Sequence, residues 1–93
     1  MKEIQTNGIT ILLVEVEKGA TYFQILPNKG IFVNGDSIES GVVDFLPKGN
    51  WQILGKSTES IHEFLGISKE EYLSLLEANG IDNNKTHLVL KRI

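Results

Sequence analysis

The sequence predicts a small α+β domain: an antiparallel sheet of about five or six strands, drawn mostly from residues 9–56, packed on one face against two short helices in the C-terminal half. Three observations predict it. Turn residues recur about every ten positions through the first half, at Lys18-Gly19, Pro27-Asn28-Lys29-Gly30, Asn34-Gly35 and Pro47-Lys48-Gly49, with β-branched and aromatic runs between them. The second half carries two serine-led helix starts, Ser60-Ile61-His62-Glu63 and Ser68-Lys69-Glu70-Glu71. The length of 93 residues supplies one modest core and one domain, since a chain of this size buries roughly 60–65% of the surface that it exposes when unfolded.

Residues 1–8 are polar and end in glycine, so they read as a frayed terminal segment. Residues 9–17 form the strongest strand signal, rich in β-branched side chains. Leu12, Val14 and Val16 share one face, and Ile9, Ile11 and Leu13 the other, which turns acidic at Glu15 and Glu17. A strand apolar on both faces at one end belongs in the interior of a sheet. Residues 22–26 are the second strand and 31–33 a short third. Asn34-Gly35-Asp36 then tolerates the positive φ of a hairpin turn. Residues 38–45 are a fourth strand, bulged near Ser40-Gly41. The fifth spans 51–56, with Trp51 and Ile53 on one face and Gln52 and Leu54 on the other.

The helices follow. A capping box at Ser60 and Glu63 opens the first, at about 58–65, with Ile61, Phe64 and Leu65 on one face and Gly66 as its stop. The second spans 69–78. Ser68 and Glu71 form its capping box, and Ile67 and Tyr72 its hydrophobic staple. Tyr72, Leu75 and Leu76 form its apolar stripe, and Gly80-Ile81 a Schellman ending. Residues 86–92 alternate as a final strand that returns to the sheet, with His87 out of phase with Leu88 and Leu90 and so directed to solvent or the sheet edge.

Composition narrows the function classes. There is no cysteine, so neither a disulfide framework nor a thiolate metal site is expected, and no cofactor is implied. The longest apolar run, residues 9–14, is broken by Thr10, and no apolar signal-peptide core stands near Met1; no membrane partner is expected and the location is read as cytoplasmic. Twelve acidic residues outnumber nine basic ones, of which only Arg92 is arginine. Nucleic acid is therefore not an expected partner; such binding would have to rest on Lys85, Lys91 and Arg92.

Gly55-Lys56-Ser57 ends as a phosphate-binding loop ends, but the loop needs glycine five residues before Gly55 and finds Asn50; the residues between are bulky and strand-like. His62 and His87 stand in no metal-binding or nucleophile-activating pattern. Asp36, Glu39 and Asp44 read as turn and strand-surface residues, and Glu59, Glu63, Glu70, Glu71 and Glu77 as an acidic helix surface. No catalytic, cofactor or metal residue is assigned. Trp51 reads first as core; because it directly follows a turn, it is also the candidate partner contact should it stand at an exposed rim.

The run Leu46-Pro47-Lys48-Gly49-Asn50-Trp51-Gln52-Ile53-Leu54-Gly55-Lys56-Ser57-Thr58-Glu59 resembles a recurring segment of short, uncharacterised bacterial proteins, some of them phage- or prophage-borne. In those proteins a glycine, an aromatic, a strand and Gly-Lys lead into a Ser/Thr-Glu helix start. The resemblance covers residues 46–59 and implies a mobile-element origin, but no activity and no site residue.

The expected function is accordingly that of a small non-catalytic protein, a protein-interaction or self-assembly module. The alternative is a small-ligand or enzymatic pocket between sheet and helices, near Asp44, Trp51, Lys56 and His62.

Overall fold

The computed structural model describes residues 2–26, 30–34, 41–42, 47 and 49–93, and the side chains of these residues other than 22–46. Its central feature is an antiparallel sheet in which β1 (Lys2–Thr6), β2 (Ile9–Val16), β7 (Thr86–Arg92) and β6 (Trp51–Lys56) lie in the order β1-β2-β7-β6. A separate three-stranded ladder contains β3 (Thr21–Leu26), β4 (Gly30–Asn34) and β5 (Gly41–Val42). Two helices, α1 (Ile61–Leu65) and α2 (Lys69–Ala78), complete the α+β architecture.

The single sheet of five or six strands is thus corrected to ladders of four and three. The reason lies at β2. Its edges are taken by β1 on one side and β7 on the other, so β3, which follows it in the chain, has no free β2 edge to join. Asn34 ends β4, while Gly35-Asp36 of the tight turn expected there, and most of the strand expected at 38–45, lie outside the described residues; Gly41–Val42 is the described part of that strand and pairs with β4.

Residues 2–6 are not a frayed end. They pair with β2 in register, Thr6 opposite Ile9 and Lys2 opposite Leu13, across the two-residue turn Asn7-Gly8. Both turn residues have positive φ, 49° and 75°, as a type I′ hairpin requires. The Asn7 side chain also donates to the Leu65 carbonyl at 2.9 Å, which ties the hairpin to the end of α1. The legible signal was Asn-Gly after alternating Lys-Glu-Ile-Gln-Thr, with Ile4 as the one buried side chain.

The two faces of β2 separate as its alternation predicts. Ile11 and Leu13 join Ile4, Val89, Ile61, Leu65, Tyr72 and Leu76 in a core under the helices, with Ile9 packed against it. Leu12 and Val14 join Trp51, Leu88 and Leu90 on the opposite face, with Val16 and Ile53 alongside. Each such large apolar side chain contributes roughly 1.5–3 kcal/mol on full burial. The final strand returns to the sheet as expected, and enters its interior.

The α2 boundaries and ends follow the sequence closely. Ser68 Oγ accepts from the Glu71 N–H at 3.1 Å, Ile67 packs against the core that holds Tyr72, and Gly80 (φ 72°) turns the chain. The Ile81 N–H then donates to the Leu76 carbonyl at 2.9 Å and the Gly80 N–H to that of Glu77 at 3.0 Å, the bond pair of a Schellman ending. The α1 start differs. Ser60 makes no side-chain cap, and the expected box is replaced by a turn in which Glu59 serves its own backbone neighbours. Phe64, expected on the buried face, is 60% exposed; in a helix of five residues only Ile61 and Leu65, one turn apart, reach the core.

Candidate functional site

The Gly55-Lys56-Ser57 turn is filled from within. Gly55 lies at a bulge in the β6–β7 pairing with φ 148°. The Lys56 N–H donates to Glu59 Oε2 at 2.8 Å, and the Glu59 N–H returns to the Lys56 carbonyl at 2.9 Å. Ser57 is bound twice to the start of β7: its N–H donates to the His87 carbonyl at 2.7 Å, and its Oγ accepts from the His87 N–H at 3.0 Å. A carboxylate of the chain therefore occupies the turn where a phosphate loop would receive an anion, and like charge opposes a second one.

That pairing also relocates His87. It is buried at 7% exposure rather than directed to solvent, because β7 is an interior strand flanked on both sides. Trp51 is buried as well, at 2% exposure, which agrees with its first reading as core; the exposed rim on which a partner contact was conditional is not seen. Its Nε1–H donates to the Pro47 carbonyl at 2.9 Å, and the Arg92 guanidinium lies 4.8 Å above its ring.

Among the described residues of the pocket expected near Asp44, Trp51, Lys56 and His62, Trp51 lies in a different core cluster from the one the helices cover. Asp44, with Asp36 and Glu39, lies outside the described residues, and Trp51 is on the sheet face opposite the helices. What stands between the 57–60 loop and α2 is a pair of small hollows. One, of about 130 Å³, is lined by residues that include Ser57, His62, Lys69 and Tyr72. The other, of about 220 Å³, includes Ser57, Lys69, Lys85 and His87. Both are smaller than the roughly 300–1,000 Å³ of typical ligand pockets. No group of three or more metal-ligating side chains occurs among the described residues.

Tyr72, at the first hollow, is 3% exposed and its hydroxyl has no hydrogen-bond partner among the described residues. Burial pushes its pKa up to about 12. Because the folded-state value exceeds the unfolded value of about 10, this group's contribution is complete below pH 10 and is lost as pH rises towards 12. Unfolding titrations should show a loss of about 2–3 kcal/mol over that window, absent in Tyr72→Phe. At neutral pH the same variant is expected to be more stable by about 1 kcal/mol, because it deletes a buried unpaired hydroxyl while keeping the ring.

The opposite flank of α2 offers a larger feature. A shallow groove of about 640 Å³ is lined by Thr6 from β1 and by Ile67, Ser68, Glu70, Glu71, Ser74 and Leu75. It borders the outer strand of the sheet. Among the described residues, β1 pairs only with β2. Across a two-residue turn the flanking residues are a hydrogen-bonded pair, and such pairs alternate along the ladder. Lys2, Ile4 and Thr6 therefore turn their backbone groups to β2. Glu3 and Gln5 turn theirs to the open side. Lys2, Ile4 and Thr6 place their side chains on the helix-covered face, where Ile4 is core and Thr6 reaches the groove.

In the sequence this edge is marked only by Asn7-Gly8, because residues 2–6 are short and mostly polar. Compared with known proteins, the chain matches no family model, no curated protein and no solved structure. No helix among the described residues is long and apolar enough to cross a membrane.

Proposed function

We propose that this chain is a non-catalytic protein-interaction module that receives an extended strand along the outer edge of β1, beside the groove on α2. The observation that carries this reading is the juxtaposition of a strand edge left open among the described residues with a lined groove on the same side of the sheet. Strand addition uses both: backbone hydrogen bonds supply affinity, and alternate side chains of the added strand enter the groove and supply selectivity. Ile67 and Leu75 offer apolar contact there, and Glu70 and Glu71 offer charge. The small hollows on the other flank of α2 favour this reading over an enclosed ligand site.

A display selection of random extended peptides tests it, with Gln5→Pro as the counter-target. Proline removes an outward N–H at a position that donates nothing to β2, and edge strands tolerate it. Peptides enriched on the wild-type chain should lose binding to Gln5→Pro at least about tenfold, the loss of roughly one backbone hydrogen bond with its neighbouring contacts. Failure to enrich peptides, or enriched peptides indifferent to Gln5→Pro, would overturn the reading.

A further inference from the structure

We infer that the strand received at this edge is β1 of a second copy of the same chain, in an antiparallel two-fold pairing centred on Ile4. The inference rests on the edge reading above and specifies its occupant. It follows from which groups face outward. Glu3 and Gln5 each present an N–H and a C=O to the open side, so an added antiparallel strand must set its own outward residues opposite them.

For two copies of β1, one alignment uses both positions twice. Glu3 lies opposite the partner's Gln5, and Gln5 opposite the partner's Glu3; each pair exchanges two N–H···O bonds. The alignment with Glu3 opposite the partner's Glu3 sets like charges side by side, which is destabilising. The alignment with Gln5 opposite the partner's Gln5 runs Glu3 against the Asn7 turn of the other copy, where the ladder has ended.

The favoured alignment has a charge consequence. Ile4 lies opposite the partner's Ile4, and Lys2 opposite the partner's Thr6. Directly opposed side chains in an antiparallel pair share a face. Lys2 and Thr6 are both on the helix-covered face, and Thr6 lines the groove that Glu70 and Glu71 also line. Each copy thus delivers one lysine to the acidic groove of the other. Lys2, Glu70 and Glu71 are all exposed, and none is in an ion pair among the described residues. Glu3 is on the other face, 3.3 Å from Arg92, and keeps that bridge because the partner's Gln5 is neutral. The product is one continuous sheet of eight strands.

Sedimentation over a concentration series reaching the millimolar range tests this, with deuterium exchange at the Glu3 and Gln5 amides as a second readout. The wild-type chain should show a reversible, salt-sensitive monomer–dimer equilibrium, with both amides protected as the dimer forms. Lys2→Glu should weaken the dimer by about tenfold or more, as two attractions become repulsions. Combining Lys2→Glu with Glu70→Lys and Glu71→Lys should restore it. The changes lie at the surface, but two lysines in the first turn of α2 oppose the helix dipole, so circular dichroism is recorded to show that the triple variant stays folded.

A strictly monomeric wild-type chain that still selects Gln5-sensitive peptides would overturn the inference and leave the edge reading standing. A monomer that selects no such peptides would overturn both. A dimer indifferent to Gln5→Pro and to the charge reversal would also overturn the inference, because its interface would lie elsewhere.

Discussion

Trp51→Ala is expected to remove about 3–5 kcal/mol of folding stability, the largest single loss among side-chain truncations of the described residues. Trp51 heads the fully buried side chains by volume and is the one aromatic among the described members of its cluster, so no neighbour of similar size can close the gap. The indole also anchors two polar groups. The Pro47 carbonyl would lose its donor, and Arg92 its position over the ring, the latter amounting to about 0.5–1 kcal/mol. Small domains have roughly 5–15 kcal/mol in all, so the variant should be partly unfolded under mild conditions. Urea titration followed by circular dichroism checks this, since the variant lacks the only tryptophan for fluorescence. Trp51→Phe separates the parts: it keeps most of the apolar volume and loses the N–H, and should cost less. A loss under about 1 kcal/mol for Trp51→Ala would mean that the second face of the sheet is not a core.

Gly55→Ala is expected to cost about 2–4 kcal/mol through two separable terms. The backbone φ of 148° belongs to glycine, and an L-residue held there costs about 1–3 kcal/mol. A Cβ at this point would collide with the Glu59 carboxylate and come within 3.3 Å of Ile61 Cδ1. The carboxylate would have to leave the Lys56 N–H, at a further cost of about 1 kcal/mol, and the start of α1 would shift with it. The double variant Gly55→Ala with Glu59→Ala relieves the collision but not the backbone strain. Chemical denaturation should therefore find the double variant less damaged than the two single losses combined. Strict additivity would show that Glu59 does not occupy the turn.

These two residues also show what was legible in the sequence. Alternation alone gave β2, β6 and β7 and assigned Ile11, Leu13, Trp51 and Ile53 to the faces they occupy. Capping chemistry gave α2 to its last turn, because Ser68, Gly80 and Ile81 act locally and need no distant partner. What escaped depended on distant pairing. His87 reads as a surface residue until β6 and β2 are known to flank it. Glu59 reads as one more surface acid until the bulge at Gly55 brings the Lys56 N–H to it. The open edge of β1 escapes for a different reason: a short polar strand buries only Ile4, so hydrophobic periodicity is silent and only the Asn7-Gly8 turn marks it.

The place of β7 between β2 and β6 bears on how the chain comes to be folded during synthesis. Ile11 pairs with Lys91 and Val16 with Thr86, so the strand that unites the sheet leaves the ribosome long after β2 has done so. Contacts of such long sequence separation give a high contact order and slow folding. Until β7 arrives, the β1–β2 hairpin carries Leu12 and Leu13 on a strand whose other edge is unpaired, an aggregation-prone nascent species. Yield in the cell should therefore depend on chaperone capacity more strongly than the stability of the finished fold alone would suggest.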